Sequence, residues 1–334
     1  MHRLSTQSIR AISHYAGLSE MAVAEHLRGR RLLPDRASGR IDAAIRDLGL
    51  DVECRSIERT PTVGLLLPDL VSPFFAELAA AVERATVDRG WALVLLPTGG
   101  SVTREIDHIA RLRRGELQGL LVATNNGADR GLSRAIGETD PVVLINEEIR
   151  GRELSIVGYD NRASGALVGK HLVERGHRRF CYVAGPKDTT SAVQRGNGLR
   201  TAVRNALGSG ADIRFCFGNH SEDHGYDTVT RMAKAGALPE ALVAGSDTIA
   251  IGAIQAFRDL SVEVPASLSL ASIDGTNSLA LAGLRMVSIK VPVNDLGEHA
   301  MDTLLRSPLR GGRPVRVTLP VRLIGGGAVR DAAG

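Results

Sequence analysis

The spacing of hydrophobic residues along this chain changes near residue 60. In the first 50 residues the apolar positions follow helical spacing, as Ile9, Ile12 and Ala16 do. From Thr62 onward, short apolar runs alternate with helix-length segments of mixed polarity. Runs rich in Val, Leu and Ile between helices are typical of parallel strands that are covered on both faces. The pattern predicts a small all-α domain followed by a larger α/β body.

The α/β body is predicted to contain about nine strands, more than one sheet holds comfortably. The predicted strands are Val63–Leu67, Ala92–Leu96, Leu120–Ala123, Val142–Ile145, Phe180–Ala184, Ile213–Phe217, Ala241–Ala244, Leu268–Ile273 and Met286–Ile289. Two similar lobes with parallel sheets are therefore expected. Because ligands of such folds bind beyond the carboxyl ends of the strands, the sequence predicts a binding cleft between the lobes.

Two helices of the small domain are predicted from capping residues and an apolar stripe. Ser8 is expected to cap the first helix, and Gly17 is expected to end it. Ser19 is expected to cap the second helix, whose Val23 and Leu27 lie four residues apart and face inward. The other face of that helix then exposes Glu20, Met21, Ala24 and Glu25.

A third helix is predicted over residues 35–48, with Ile41, Ile45 and Leu48 on its inner face and Gly49 at its end. Three short helices around one core indicate a helix-turn-helix domain, a fold that binds DNA. An ordinary helical hairpin is the alternative, because helix-turn-helix patterns in isolation produce many false matches.

The composition is that of an ordinary globular protein, with 334 residues, 43% hydrophobic and 23% charged. We expect neither a membrane span nor a secretion signal, since no long apolar run and no apolar N-terminal stretch occur. A cytoplasmic location follows. The cysteines Cys54, Cys181 and Cys216 are scattered and are interpreted as reduced structural thiols. No cofactor or metal site is predicted.

Residues 26–40 form a basic segment, although the net charge of the whole chain is only +4. The segment sets five arginines against the single acid Asp35; they are Arg28, Arg30, Arg31, Arg36 and Arg40. Such a cluster can neutralise DNA phosphates and release counterions. The alternative is a solvated arginine-rich loop in a chain that uses arginine more than lysine.

Residues 16–27 resemble the helix-turn-helix signature of the lactose and galactose repressor (LacI/GalR) family. The resemblance rests on Ala16-Gly17-Leu18-Ser19, followed by Val23 and Leu27, and residues 43–49 are similar to the third helix of that family. It implies that the second helix lies in the major groove of DNA. The implied DNA-binding residues are Ser19, Glu20, Met21, Ala22, Glu25, Arg28 and Arg30, and Ile57 in the linker.

Ala22, Ala24 and Glu25 depart from the threonine, serine and arginine or histidine that are usual in the family. A glutamate can accept a hydrogen bond from the amino group of cytosine, but it repels phosphate. Two glutamates on one reading helix, Glu20 and Glu25, therefore predict an unusual operator or weak binding. Arg28 could offset part of this repulsion by contacting a phosphate.

Residues 51–61 are predicted to link the two domains. Residues 55–57 (Arg-Ser-Ile) are similar to the hinge of the family, which implies that Ile57 inserts into the minor groove. The segment is about four residues shorter than usual and contains three acidic residues. A flexible acidic linker is therefore the alternative interpretation.

The α/β body resembles the same family and, through it, the type I periplasmic sugar-binding proteins. The motifs follow in the order of the family: PDLVSPFFAEL (68–78), LVGKHLVERGHR (167–178), GSDTIAIGA (245–253), SIDG (272–275) and LPVRL (319–323). The resemblance covers about residues 8–330.

This resemblance implies a helix-turn-helix domain at residues 1–50, a linker at 51–61 and a two-lobed sensor at 62–330. One lobe would comprise about residues 62–160 and 291–319, and the other about 161–290 and 320–330. The chain would cross between lobes near Asn161, Val291 and Pro320.

The resemblance also implies a ligand site in the loops after the strands, formed by Ser72, Phe74, Asn146, Ser191, Arg195, His220, Ser246 and Asp274. Arg195 offers a fork of donors, Asp274 accepts from vicinal hydroxyls, and Phe74 presents a flat apolar face. The set suits a sugar or another small polyhydroxylated or nitrogenous ligand. Asn146 and Ser246 stand where aspartate and asparagine are commoner in the family.

Several of these residues have a plainer alternative role. Arg195 could pair with Asp188 on the surface of a helix. His220 could lie exposed in a polar loop, and Asp274 could simply order its turn. Asp247 is expected to cap the helix that follows it.

Together these features predict a cytoplasmic, ligand-responsive repressor of transcription that binds a pseudo-palindromic double-stranded operator as a homodimer. Its expected partners are operator DNA and a small effector. The sequence lacks the motifs of zinc proteases, P-loop proteins and serine hydrolases, so no enzymatic activity is predicted. Two alternatives remain: a sensor whose head no longer binds DNA, and a sugar-binding or sugar-processing protein built on the same lobes.

Overall fold

The computed structural model describes residues 6–27, 35–50, 60–276, 286–306, 313–325 and 327–331. Its contacts separate the chain into two compact units, Met1–Thr60 and Pro61–Gly334. Within the described ranges, no helix combines the length and the apolar character that a membrane span requires.

The first unit is a three-helix domain that consists of α1 (Thr6–Ala16), α2 (Glu20–Leu27) and α3 (Asp35–Asp47). One apolar cluster joins the helices, with Ile9, Ile12, Ala16, Val23, Leu27, Ile41, Ala44 and Ile45 as its buried members. Gly17 has a φ of 62°, which glycine adopts without strain, and it turns the chain from α1 towards α2. The predicted three-helix arrangement is confirmed.

Two local predictions for this domain are wrong. Ser8 does not cap α1, because the helix already begins at Thr6. Leu48 does not face the core: α3 ends one residue earlier, and Leu48 is 37% exposed. Leu50 packs against the apolar cluster instead, and its N–H donates to the carbonyl oxygen of Ile45 at 3.1 Å. Helical spacing alone does not reveal this reversal of the chain after α3.

The second unit contains two six-stranded sheets. Its strands are β1 (Thr62–Leu67), β2 (Ala92–Pro97), β3 (Gly119–Val122), β4 (Val142–Ile145), β5 (Ser155–Tyr159), β6 (Arg179–Ala184), β7 (Asp212–Phe217), β8 (Ala241–Ala244), β9 (Ser269–Asp274), β10 (Val287–Lys290), β11 (Arg316–Leu319) and β12 (Arg322–Ile324). Its helices are α4 (Pro73–Val87), α5 (Val102–Arg113), α6 (Arg130–Ala135), α7 (Asn161–Glu174), α8 (Thr190–Leu207), α9 (Glu222–Lys234), α10 (Asp247–Asp259) and α11 (Val293–Arg306).

The two sheets have similar topologies. The first has the order β11-β5-β4-β3-β1-β2 and is parallel throughout. The second has the order β12-β10-β9-β8-β6-β7, and its edge strand β12 is antiparallel to β10. We call the first sheet with α4, α5, α6 and α11 the first lobe, and the second sheet with α7 to α10 the second lobe. The predicted α/β class with parallel sheets is confirmed.

Helices cover both faces of each sheet, which explains the apolar strand sequences. In the first lobe, α4 and α11 pack on one face, and α5 and α6 pack on the other. In the second lobe, α7 and α8 lie opposite α9 and α10. The chain passes between the lobes three times: from β5 to α7, from β10 to α11 and from β11 to β12.

All nine predicted strands occur within one residue of their predicted ends, but β5, β11 and β12 were not predicted. In β5, Ser155 and Gly158 interrupt the apolar run. The strands β11 and β12 lie at sheet edges and expose Arg316 and Arg322. They are short, with four and three residues, and each begins with an arginine, so neither has the long apolar run that predicted the other strands.

The two cysteines that the structure describes carry free thiols. Cys181 on β6 and Cys216 on β7 place their sulfur atoms 3.8 Å apart. Cys54 lies outside the described residues. Two cysteines that are far apart in the sequence are therefore in contact on neighbouring strands.

Helices α7 and α8 approach each other closely because glycine residues face the neighbouring backbone. A Cβ atom on Gly165 would collide with the carbonyl oxygen of Arg195, and one on Gly198 would collide with the carbonyl oxygen of Arg162. The contact fixes how deeply α8 sits in the second lobe. It therefore positions Arg195, which points towards the first lobe.

We expect Gly165→Ala to lower the free energy of unfolding by about 1–3 kcal/mol, because the two helix backbones must move apart to admit a methyl group. Gly210→Ala is the matched control, since its added Cβ meets no atom within 4 Å. The control should change stability by no more than about 0.5 kcal/mol. Chemical denaturation of both variants tests this, and equal stability of the two would contradict the close-packing argument.

Candidate functional site

A cavity lies between the two lobes, at the carboxyl ends of several strands. Its lining includes all eight side chains that the resemblance implied for ligand binding: Ser72, Phe74, Asn146, Ser191, Arg195, His220, Ser246 and Asp274. The space measures about 500 Å³ with its open mouth, but centres of water-sized molecules fit into only about 50 Å³ of it. That room suits a few waters. A sugar therefore requires the lobes to separate or the lining to move.

Arg195, from α8, forms the centre of a polar network in this cavity and is only 4% exposed. Its Nε donates to Oδ1 of Asn161 at 2.8 Å. Its terminal nitrogens donate to the carbonyl oxygen of Gly245 and to the hydroxyl of Tyr159. A carboxylate oxygen of Asp274 lies 3.6 Å from the guanidinium. A buried charge needs such partners, and here they come from both lobes.

The alternative role considered for Arg195 is wrong. Asp188 is exposed, whereas Arg195 is buried and has Asp274 as its acidic partner. A surface ion pair between Arg195 and Asp188 is therefore absent. The close packing of α7 against α8 explains why a helix arginine points inward here.

Asp274 is the last residue of β9 and combines an unusual backbone with a perturbed carboxyl group. Its φ is 125°, a conformation that non-glycine residues rarely adopt. Its Oδ2 accepts from the N–H of Asp247, the first residue of α10, at 3.3 Å. Burial raises the pKa of Asp274 to about 7, although Arg195 opposes the rise. The carboxyl group therefore titrates near neutral pH, and it also orders the start of α10.

Asn146 occupies the corresponding position after β4 in the first lobe and has a φ of 63°. Its Oδ1 accepts from Nδ2 of Asn161 at 2.8 Å. Asn161 thus connects the loop after β4 with Arg195. Tyr159 lies behind this side of the cavity, where its hydroxyl accepts from Arg195 and its buried ring makes an edge contact with Phe74 at a centroid distance of 6.4 Å. Non-glycine residues with a positive φ, such as Asn146, often mark binding sites.

Glu147 lines the cavity but was not predicted. It follows β4 in the first lobe, and its carboxylate accepts from the N–H groups of Thr190 at 2.8 Å and Ser191 at 3.3 Å in the second lobe. Thr189, the residue before α8, makes no capping bond with its own side chain. Glu147 therefore caps α8 from the opposite lobe. Burial raises the pKa of Glu147, and the hydrogen bonds from Ser191 oppose this rise.

His220 borders the cavity and is half-buried, so it is not the exposed loop residue of the alternative interpretation. Its ring packs against Gly185, where an added Cβ would collide with it. Burial, followed by the charges of Arg195 and His224, lowers the pKa of His220 well below its usual range. The imidazole is therefore neutral at pH 7. Its Nδ1 is buried without a hydrogen-bond partner among the described residues.

Ser246 caps α10 by accepting from the N–H of Ile249 at 3.3 Å. The prediction that Asp247 caps this helix is therefore wrong. The carboxylate of Asp247 instead accepts from both the N–H and the hydroxyl of Thr276, each at 2.7 Å. In the first lobe, Ser72 precedes α4 without a side-chain capping bond.

On α2, Ser19 acts as the predicted cap, since its Oγ accepts from the N–H of Ala22 at 3.2 Å. Met21 is 69% exposed, and the exposed Glu20 pairs with Arg10 at 3.0 Å. Ala22 is buried, so its assignment as a DNA-contacting side chain is corrected. The side chain of Glu25 and the residues Arg28, Arg30 and Ile57 lie outside the described residues. Their roles stay predictions.

The sequence reasoning missed three residues of the cavity network: Glu147, Tyr159 and Asn161. Glu147 carried a usable signal, because it lies two residues beyond the end of β4, a predicted strand. Tyr159 and Asn161 carried none, because they lie in and just after β5, which was not predicted. These two residues take part through their hydrogen bonds to Arg195, whereas Glu147 lines the cavity itself.

Two lobes that close over a polar cavity define a sensor of the periplasmic-binding-protein type. Residues 60–324 match the family described as periplasmic binding proteins and sugar binding domain of LacI family. The chain belongs to this family, and with its helix-turn-helix head it is a LacI-family transcriptional regulator.

Named relatives and a solved structure agree with this assignment. The chain is 26% identical to the ribose operon repressor of Escherichia coli over 89% of this chain and 92% of that protein. It is 28% identical to the HTH-type transcriptional regulator PtxS of Pseudomonas aeruginosa over 95% and 94% of the two chains. The crystal structure of transcription regulator CcpA of Lactococcus lactis matches with a TM-score of 0.74 and 22% identity over 81% of this chain and 100% of the other. The last similarity supports the fold.

The pKa of Asp274 generates a testable pH dependence. The folded protein holds this proton up to about pH 7, whereas the ordinary pKa is 3.8. The folded state therefore binds more protons in this window, and Asp274 lowers stability as the pH rises through it. Asp274→Asn should therefore reduce the slope of the free energy of unfolding against pH by up to about 1.4 kcal/mol per pH unit, which corresponds to one proton.

Urea denaturation between about pH 4 and pH 7 measures this slope. Asp227→Asn, at an exposed position of α9, is the control and should leave the slope unchanged. The buried carboxyls of Glu147 and Asp247, whose pKa values burial also raises, should leave a remaining slope of the same sign. A slope that is the same in wild type and Asp274→Asn would contradict the assignment.

Proposed function

We propose that this protein is a repressor whose affinity for operator DNA depends on a small polyhydroxylated effector bound between the lobes. The observation that carries the proposal is the convergence of Ser72, Phe74, Asn146, Ser191, Arg195, His220, Ser246 and Asp274 on one interlobe cavity. The name of the Escherichia coli relative supports a sugar-like effector. The domain division proposed is a head at residues 1–50, a linker at 51–61 and a sensor at 62–330.

The polar contacts across the cavity support a two-state mechanism. Arg195 and Ser191 of the second lobe bind Tyr159 and Glu147 of the first. These contacts exist only while the lobes are closed. An effector that binds one state more tightly shifts the balance between open and closed forms, and DNA affinity changes by the same coupling free energy.

For the head, we propose that α2 lies in the major groove, with Glu20 and Met21 facing the base edges. The ion pair with Arg10 reduces the repulsion between Glu20 and phosphate. Two copies of the chain would present two such helices to a pseudo-palindromic operator. We further propose that the protein works in the cytoplasm, where it meets DNA, and that it binds its effector without transforming it.

The effector site can be tested with a thermal-shift screen of sugars, nucleosides and amino acids against the full chain. A true effector at one hundred times its Kd should stabilise the wild type by about 2.7 kcal/mol. Arg195→Ala and Asp274→Ala should each abolish this stabilisation, while Asp227→Ala on α9 should retain it. Full stabilisation of both cavity variants would reject the cavity as the effector site.

DNA binding can be tested by capture of fragmented genomic DNA at low salt, followed by sequencing. We expect a small set of related pseudo-palindromic sites, with an affinity that falls by about a thousandfold or more from 50 to 200 mM salt. Met21→Ala on α2 should weaken or alter the selected sites, whereas the exposed Leu260→Ala in the sensor should not. An absence of enriched sites would favour the sensor with a head that no longer binds DNA.

A further inference from the structure

Carboxyl groups of the protein itself already occupy two of the helix N-termini at this cavity, those of α8 and α10. Helix N-termini attract anions, because their N–H groups are unpaired and the helix dipole is positive there. At α8 the carboxylate of Glu147 accepts from Thr190 and Ser191. At α10 the carboxylate of Asp274 accepts from Asp247. An anionic group of a ligand would have to displace one of them in order to bind at the N-terminus of α8 or α10.

The only guanidinium among the described lining residues, that of Arg195, is also engaged. All three of its nitrogens donate to protein acceptors, which are Asn161, Gly245 and Tyr159. The carboxyl group of Asp274 lies 3.6 Å from the guanidinium. Arg195 therefore organises the cavity walls more than it offers an open binding fork to an acid.

Apart from Arg195, the ionisable groups that the described lining presents to a ligand are two carboxyl groups and one imidazole. Glu147 and Asp274 each present carboxylate oxygens to the cavity, and His220 is a neutral imidazole. The outer mouth of the cleft is lined by Asp69, Asp129 and Asp188, with no lysine or arginine among its described lining residues. Hydroxyl and amine donors match the carboxyl oxygens, whereas a carboxylate or phosphate meets the like charges of the outer aspartates and then a helix N-terminus that Glu147 already occupies.

From these contacts we infer that Glu147 is a specificity-determining residue that excludes anionic effectors by occupying the N-terminus of α8. The effector is accordingly an uncharged or cationic compound rich in hydroxyl or amine donors, rather than a sugar acid or a sugar phosphate. This inference rests on the proposed function, because it concerns the same cavity. It adds the charge class of the ligand and the residue that sets it.

The position of Glu147 explains why it is effective in this role. Glu147 is only 7% exposed between the two lobes. Its carboxylate is held by backbone N–H groups rather than by a mobile lysine or arginine. A competing anion would leave this carboxylate buried without its donors, which is costly. The neighbouring Glu148 differs: it is 44% exposed and pairs with Arg316 at 2.8 Å, so it provides a matched control.

The test uses inorganic phosphate as the anion probe and the melting temperature of the full chain as the readout, at constant ionic strength set with chloride. Four proteins are compared: wild type, Glu147→Ala, Glu147→Gln and Glu148→Ala. Removing the carboxylate exposes the N-terminus of α8 beside Arg195. Glu147→Ala should therefore gain a saturable rise in Tm of about 2 °C or more over the wild type. Glu147→Gln should gain a smaller one, and Glu148→Ala none.

Phosphate binding elsewhere on the chain would raise Tm equally in all four proteins. The informative quantity is therefore the difference between each variant and the wild type in the rise of Tm with phosphate. Equal responses in all four proteins overturn the inference, as does a larger response of the wild type than of both Glu147 variants. If Glu147→Ala does not fold, Glu147→Gln decides alone. Because the readout requires neither DNA nor the natural effector, failure here is distinguishable from failure of the proposed repressor function.

Discussion

The buried guanidinium of Arg195 is the constraint on which the closed sensor depends. A positive charge that is 4% exposed is tolerated only when acceptors surround it. Tyr159 supplies one from the first lobe, Asn161 supplies one where the chain crosses over, and Gly245 and Asp274 supply others from the second lobe. The glycine contacts between α7 and α8 set the depth of the helix that carries Arg195. Separation of the lobes would break the bond to Tyr159, so this one side chain connects core packing with opening and closing.

The carboxyl groups around Arg195 are also buried, and they also depend on hydrogen-bond partners within the protein. Glu147 and Asp274 each satisfy the N-terminus of a helix, and burial raises the pKa of both. Two of the three non-glycine residues with positive φ in the described chain, Asn146 and Asp274, lie at the cavity at the carboxyl ends of central strands. Such backbone conformations persist only where surrounding contacts impose them. The cavity is thus preorganised by bonds within the protein, and a ligand must compete with or add to those bonds.

Much of the fold could be predicted because central parallel strands require long apolar runs. Runs such as Val142–Ile145 and Ala241–Ala244 have no polar interruption, and both occur as strands with the predicted bounds. The strands β11 and β12 could not be predicted, since they have only four and three residues and each begins with an exposed arginine. Capping predictions were less dependable: Ser19 caps α2, but Ser8 lies inside α1, and Ser246 rather than Asp247 caps α10.

The sequence by itself determined the division into a three-helix head and an α/β body, together with the strand order along the chain, because hydrophobic spacing records which faces are buried. Its motifs also indicated eight residues that the fold gathers around one cavity. Only the tertiary structure showed which partners within the protein those residues bind. It showed that Arg195 is turned inward with all three of its nitrogens hydrogen-bonded, that Glu147 reaches across to α8, and that Ala22 is buried. These facts depend on distances between segments far apart in the chain, and local sequence patterns do not encode such distances.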